Sequence, residues 1–205
     1  MLSKYLVAPL ILVASTFGAP VELETRQSCS SLQLVHVAGT TEVGLGIVGT
    51  PLAAALASSG ITTKSITYDT SAEYVTTVAA GAVITAGYLA TQAALCPSQR
   101  FILSGYSKGA LVLHSTTLTS ALKSKIASIL VFGDPARNIN SPWPINSPSV
   151  DLAPKDGSSS SQNIASFCNT GDLFCAIPGV SLPAHLAYPT DGSIEVAAAF
   201  AKARA

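Results

Sequence analysis

Apolar positions in this chain fall into short, nearly unbroken runs separated by longer stretches with helical spacing. Runs rich in β-branched and aliphatic residues predict strands at 32–37, 61–68, 101–104, 129–132 and 164–167. Thr50 followed by Pro51 predicts a helix start, with proline at the first position, where its missing N–H costs nothing. Thr70 and Glu73 have capping-box spacing and predict the opening of a long Ala/Val-rich helix ending near Cys96–Pro97. Further helices are expected over about 107–122 and 194–204. Strands alternating with helices predict a mostly parallel sheet covered on both faces, since doubly buried strands read as continuous apolar runs. The expected fold class is therefore α/β, with five strands in the sheet. Residues 138–161, rich in Pro, Asn and Ser, predict a long irregular surface segment.

Composition narrows this picture. The 205 residues fit one domain, and 48% hydrophobic against 11% charged residues allows a sizeable core and argues against disorder. Net charge is zero with no basic block, so binding to nucleic acid is not expected. Lys4, the apolar run 5–17 and the small residues Thr16, Gly18 and Ala19 predict a signal peptide over 1–19. The run is shorter than the roughly 18 to 20 residues of a spanning helix, so no membrane anchor is expected. The polar stretch 20–26, ending at Arg26, reads as a pro-segment, which leaves one domain over 27–205. The expected location is extracellular, and the expected state is a monomer.

Four cysteines follow this leader, at Cys29, Cys96, Cys168 and Cys175, an even number that suggests two disulfides with three possible pairings. Cys168 and Cys175 bracket a tight loop holding Asn169, Gly171 and Asp172 and are expected to pair, which leaves Cys29 with Cys96. No CxxC pair exists and the three histidines are scattered, so neither a metal nor another cofactor is expected.

The sharpest chemical signal is Gly105–Tyr106–Ser107–Lys108–Gly109, directly after an apolar strand and directly before a helical run. A serine on such a turn is lifted clear of the sheet, and the N–H of Lys108 at the helix start suits a developing oxyanion. Three histidines compete as its base. His36 ends a strand, and His114 lies two helical turns below the serine. His185 lies in the predicted loop 183–189, in the nucleophile–acid–histidine chain order of α/β-hydrolases. Asp172, in the stapled loop, is the favoured orienting carboxylate, with Asp134 as its rival. The loop after the first strand, Ala38–Gly39–Thr40–Thr41–Glu42, offers Thr40 as a second oxyanion donor. Leu173, Phe174, Ile177, Val180, Leu182 and Leu186 fit either an apolar substrate-binding rim or ordinary core.

These segments resemble the fungal cutinase family: the elbow 105–109, the stapled aspartate loop 167–175, the histidine segment 185–188, the oxyanion loop 39–42, and Cys96–Pro97. The resemblance runs from about Cys29 to the C-terminus. It implies a lidless three-layer α/β/α sandwich with two disulfides that hydrolyses ester bonds, its substrate an ester such as cutin or another lipid polyester. It further implies Ser107 as nucleophile, His185 as base, Asp172 as orienter, and Thr40 with Lys108 as oxyanion hole. Lys108 stands where the family usually has glutamine, and Ala38 where it usually has arginine. Two other readings are an acetylxylan esterase, which shares fold and triad, and a secreted binding or elicitor protein that lost activity. A single tryptophan, Trp143, argues mildly against stacking on carbohydrate.

Overall fold

The computed structural model describes residues 29–157 and 161–205. The expected signal peptide and pro-segment lie outside the described residues. The strands are β1 (Leu32–Val37), β2 (Thr62–Ser65), β3 (Arg100–Tyr106), β4 (Ile126–Phe132), β5 (Val150–Asp151) and β6 (Ile164–Phe167). They form one sheet in the order β2-β1-β3-β4-β6-β5, and every pairing is parallel. The helices are α1 (Gly46–Ala57), α2 (Val75–Leu95), α3 (Lys108–Ser115), α4 (Ser120–Lys123), α5 (Leu182–Leu186) and α6 (Ser193–Lys202).

Side-chain alternation along the strands feeds two separate cores. Leu34, Ile102, Leu130 and Phe132 pack with Leu52 and Leu56 of α1 and Ala197 and Phe200 of α6. Val35, Val37, Leu103 and Val131 point the other way, onto Leu89 of α2 and Val112 and Leu113 of α3. Each such side chain, when fully buried, stabilises the fold by about 1.5–3 kcal/mol relative to exposure. Two cores on one sheet make the expected three-layer sandwich. The central strands β1, β3 and β4 end together, so the loops that follow them share one edge.

Several expectations need correction. The sheet has six strands rather than five, because Val150 and Asp151 pair with Ile164 and Ala165 inside the long irregular segment. Two residues carry no readable period. Strand β2 is shorter than expected, and α1 starts at Gly46, so Pro51 lies inside the helix rather than at its first position. The Glu42 carboxylate causes the earlier start by accepting from the N–H of Ile47 in the first turn (2.8 Å). Helix α2 begins at Val75, with the Glu73 carboxylate accepting from the amides of Val75 (2.7 Å) and Thr76 (3.1 Å). The helix expected over 107–122 breaks after Ser115, and Thr119 caps the separate α4 through the N–H of Leu122 (3.3 Å). His185 lies in the short helix α5, not in an irregular loop; Ser181 caps that helix.

Candidate active site

Ser107 sits alone between the end of β3 and the start of α3, with φ 52° and ψ −116°. That backbone region is costly for a residue with a side chain and persists only where its surroundings enforce it. Here the Ser107 N–H donates to the Phe132 carbonyl of β4 (2.9 Å). The flanking glycines are steric necessities. A Cβ on Gly105 would lie 2.7 Å from the Gly109 carbonyl oxygen, and one on Gly109 would lie 2.0 Å from that of Val37. Helix α3 thereby approaches β1 and β3 closely enough for the sharp turn.

On the other side of the cleft, the His185 Nδ1–H faces both carboxylate oxygens of Asp172, at 3.0 Å and 2.9 Å. The imidazole stacks on Tyr106 at 5.0 Å and meets Phe174 at 4.5 Å between ring centres. The Tyr106 hydroxyl also donates to the His185 carbonyl (2.9 Å), so the residue preceding the serine holds the histidine. Asp172 is fully buried. Its Oδ1 accepts from the amides of Phe174 (2.7 Å) and Cys175 (3.3 Å), and Oδ2 accepts from the Tyr188 hydroxyl (2.5 Å). Burial pushes the carboxyl pKa up, but the bonds from His185, Tyr188 and Phe174 outweigh it and hold the group below the ordinary aspartate value. The Cys168–Cys175 disulfide closes the loop around this carboxylate, and a Cys29–Cys96 disulfide ties the start of the described chain to the end of α2.

The rival groups are engaged elsewhere. Asp134 accepts from the His114 ring (3.0 Å) and the Ala136 amide (2.8 Å). His114 also reaches the Pro142 carbonyl (2.9 Å), away from the serine. His36 is wholly buried against Ser104.

The loop after β1 is folded by its own glutamate: Glu42 Oε2 accepts from the Gly39 N–H (2.6 Å). The segment before α2 braces the same loop. The Tyr68 hydroxyl donates to the Ala38 carbonyl (2.7 Å), the Thr41 N–H donates to the Thr70 carbonyl (2.7 Å), and Thr40 Oγ1 shares a hydrogen bond with the Tyr74 hydroxyl (2.6 Å). Lys108 heads α3, where first-turn amides have no intrahelical acceptor, and its side chain is wholly buried.

Ser107, His185 and Thr40 line one open cleft of about 380 Å³, with Tyr74 on one side and Ile47, Phe174, Leu182 and Leu186 as its apolar wall. All six proposed rim residues are exposed rather than core, led by Val180 (89%) and Ile177 (81%). Of these six, Phe174, Leu182 and Leu186 line the cleft itself. A larger cavity of about 580 Å³ near Arg137 and Trp143 contains none of the groups brought together at the serine. No local pattern in the sequence marks the roles of Tyr106, Tyr188, Tyr74 and Glu42. The nearest signal is aromatic placement, one residue before Ser107 and three after His185.

A serine elbow on an open parallel sheet, opposite a carboxylate-bound histidine, defines a serine hydrolase of the α/β-hydrolase type. A family model described as Cutinase matches residues 28–205. The cutinase of Botryotinia fuckeliana is 30% identical over 98% of this chain and 96% of its own length. The carboxylesterase Culp1 of Mycobacterium bovis is 29% identical over 86% of the chain and 82% of its own. Among solved structures, Trichoderma reesei cutinase in complex with a phosphonate inhibitor superimposes with a TM-score of 0.68 at 23% identity, covering 85% of this chain and 76% of that one. An acetylxylan esterase superimposes with a TM-score of 0.70 at 21% identity, covering 86% and 99%. These two likenesses concern the fold. The chain belongs to the cutinase family and is a serine carboxylic ester hydrolase.

Proposed function

We propose that the protein is a secreted esterase acting on short-to-medium acyl esters and on lipid polyester surfaces such as cutin, with Ser107, His185 and Asp172 as its catalytic triad. The observation that carries the assignment is the His185 imidazole bound through Nδ1 to a buried, ionised Asp172 in the same cleft as the strained Ser107. With Nδ1 engaged, Nε2 is the nitrogen left to take the Ser107 proton.

The reaction is acyl transfer in two steps. Ser107 Oγ attacks the ester carbonyl as His185 takes its proton. The oxyanion is met by the N–H groups of Thr40 and Lys108, each such donor being worth about 3 to 4 kcal/mol. The C–O bond to the alcohol breaks, and the alcohol leaves with the proton from His185. Water, deprotonated by His185, then attacks the acyl-enzyme, and the acid departs as Ser107 regains its proton. Asp172 stays ionised throughout and stabilises the imidazolium. The exposed apolar side chains Leu182 and Leu186 in the cleft wall, with Ile177 and Val180 exposed nearby in sequence, suit an insoluble aliphatic substrate. Two disulfides support export, since such bonds persist in oxidising compartments.

Hydrolysis of p-nitrophenyl esters from acetate to palmitate, by wild type and Ser107→Ala, tests this reading. Activity peaking at short-to-medium chains and abolished in the variant is expected. Activity confined to acetate points to the acetylxylan esterase reading instead. No activity on any ester refutes the proposal.

A further inference from the structure

Lys108 presents a paradox of charge: its residue is wholly buried, yet its side chain ends in an ammonium. That ammonium is saturated by three main-chain oxygens, the carbonyls of Asp69 (3.0 Å), Ser71 (2.5 Å) and Glu73 (2.9 Å). Three donors meet three acceptors, which is the full capacity of a lysine head group. The faces of Tyr68 and Tyr74 flank it, at 5.6 Å and 5.1 Å from Nζ to ring centre. Burial pushes the lysine pKa down, and the carboxylates of Asp69 and Glu73 act against that fall. Converging carbonyls on one cation draw an otherwise irregular segment, 69–73, into a single turn around Nζ.

That turn is the same segment that holds the loop after β1. Thr70 accepts from the Thr41 N–H through its carbonyl and donates through its hydroxyl to the Glu42 carbonyl (2.9 Å). Tyr68 and Tyr74, at the two ends of the turn, reach Ala38 and Thr40 respectively. A chain of contacts therefore runs from Nζ to the 69–73 turn, and from there through Thr70 to Thr41 and Glu42 and through the adjoining Tyr74 to Thr40.

We propose that the Lys108 side chain is a positioning residue for the oxyanion hole, acting through the 69–73 turn to set Thr40. One residue thus serves both halves of the hole: its backbone N–H on the elbow, and its ammonium on the segment that orients the opposite donor. This inference rests on the triad and oxyanion assignments above. A glutamine at this position has two N–H donors on a shorter stem and cannot meet three carbonyls at once.

The test uses Lys108→Met, which keeps an unbranched stem one atom shorter without the charge, Lys108→Gln, Tyr74→Phe, the Lys108→Gln/Tyr74→Phe double variant, and Ser107→Ala. Active sites are counted by titration with a p-nitrophenyl phosphonate, so that loss of folded enzyme does not register as loss of rate. We expect kcat on p-nitrophenyl butyrate to fall about 100-fold in both Lys108 variants with KM little changed, as small misplacements of catalytic groups do. In the double variant the fall should be clearly smaller than the product of the single effects, because both act through Thr40. Full kcat per titrated site in the Lys108 variants, even with a lowered melting temperature, overturns the inference. So does multiplicative loss in the double variant, or failure of both Lys108 variants to yield titratable enzyme. If Ser107→Ala keeps activity, the triad reading fails instead, whatever Lys108 does.

Discussion

Replacing Tyr188 with phenylalanine isolates the support beneath the His185–Asp172 pair. The Tyr188 hydroxyl is wholly buried, donates to Asp172 Oδ2 at 2.5 Å and accepts from the Asn169 N–H at 3.2 Å. Tyr188→Phe removes one hydrogen bond to a charged acceptor, worth about 1.5–3 kcal/mol, and strands an amide. The expected loss of stability is about 2–4 kcal/mol at neutral pH. Asp172 keeps His185 and the amides of Phe174 and Cys175, so the His185–Asp172 pair stays assembled. If about 1.4 kcal/mol of the lost bond is felt in the transition state, kcat falls about tenfold. The pH dependence has a defined sign. The low pKa of Asp172 contributes stability that is present above the unfolded aspartate value of about 3.9 and is lost as pH falls through the folded value. Without the Tyr188 hydroxyl that folded value rises. The gap between wild type and variant should therefore be widest above about pH 5 and narrow below about pH 4. Urea unfolding from pH 3 to 8, with p-nitrophenyl butyrate kinetics at pH 7, measures both quantities. Equal stability and equal kcat, or a gap that widens in acid, would refute the reasoning.

Three further outcomes are expected. Burial lowers the His36 pKa to about 3, so between about pH 6.5 and 3 the unfolded chain holds a proton that the folded one does not. Stability should fall on acidification by about 1.4 kcal/mol per pH unit more in wild type than in His36→Gln; parallel urea-unfolding curves would contradict this. Glu42→Gln puts an NH2 donor where one of the two oxygens accepts from Gly39 or Ile47, so one of those bonds is lost, and stopped assays should show kcat reduced about tenfold or more with KM little changed. Gly109→Ala drives a Cβ onto the Val37 and Ala38 carbonyls, and calorimetry should show destabilisation of about 3 kcal/mol or more.

Legibility in the sequence followed the range of the interaction. The elbow was readable because strand, turn and helix are contiguous, and because Gly105 and Gly109 announce a close approach even before Val37 is known to be the neighbour. The Asp172 loop was readable because its staple spans only seven positions. Helix starts are less legible. Thr50–Pro51 looks like a start locally, but Glu42, five positions before Ile47, supplies the acceptor that begins α1 earlier. The run after Ser107 has helical spacing, yet the backbone turns extended at Thr116 (φ −75°, ψ 116°), which ends the helix. Tyr188 beneath Asp172 and Tyr74 beside Thr40 depend on pairings between distant segments, which no local pattern encodes. Lys108 is the clearest case. Its departure from the family's glutamine was visible, whereas the three carbonyls that receive it belong to a turn some 35 to 39 residues away.

The central claim is that Ser107 carries the acyl group during turnover. Incubation with a p-nitrophenyl phosphonate, followed by intact mass and peptide mapping, tests it most directly. The account predicts one adduct per chain, located on Ser107, with esterase activity lost in step with its formation. Labelling of another residue, or full activity in a chain whose Ser107 is fully modified, would contradict it.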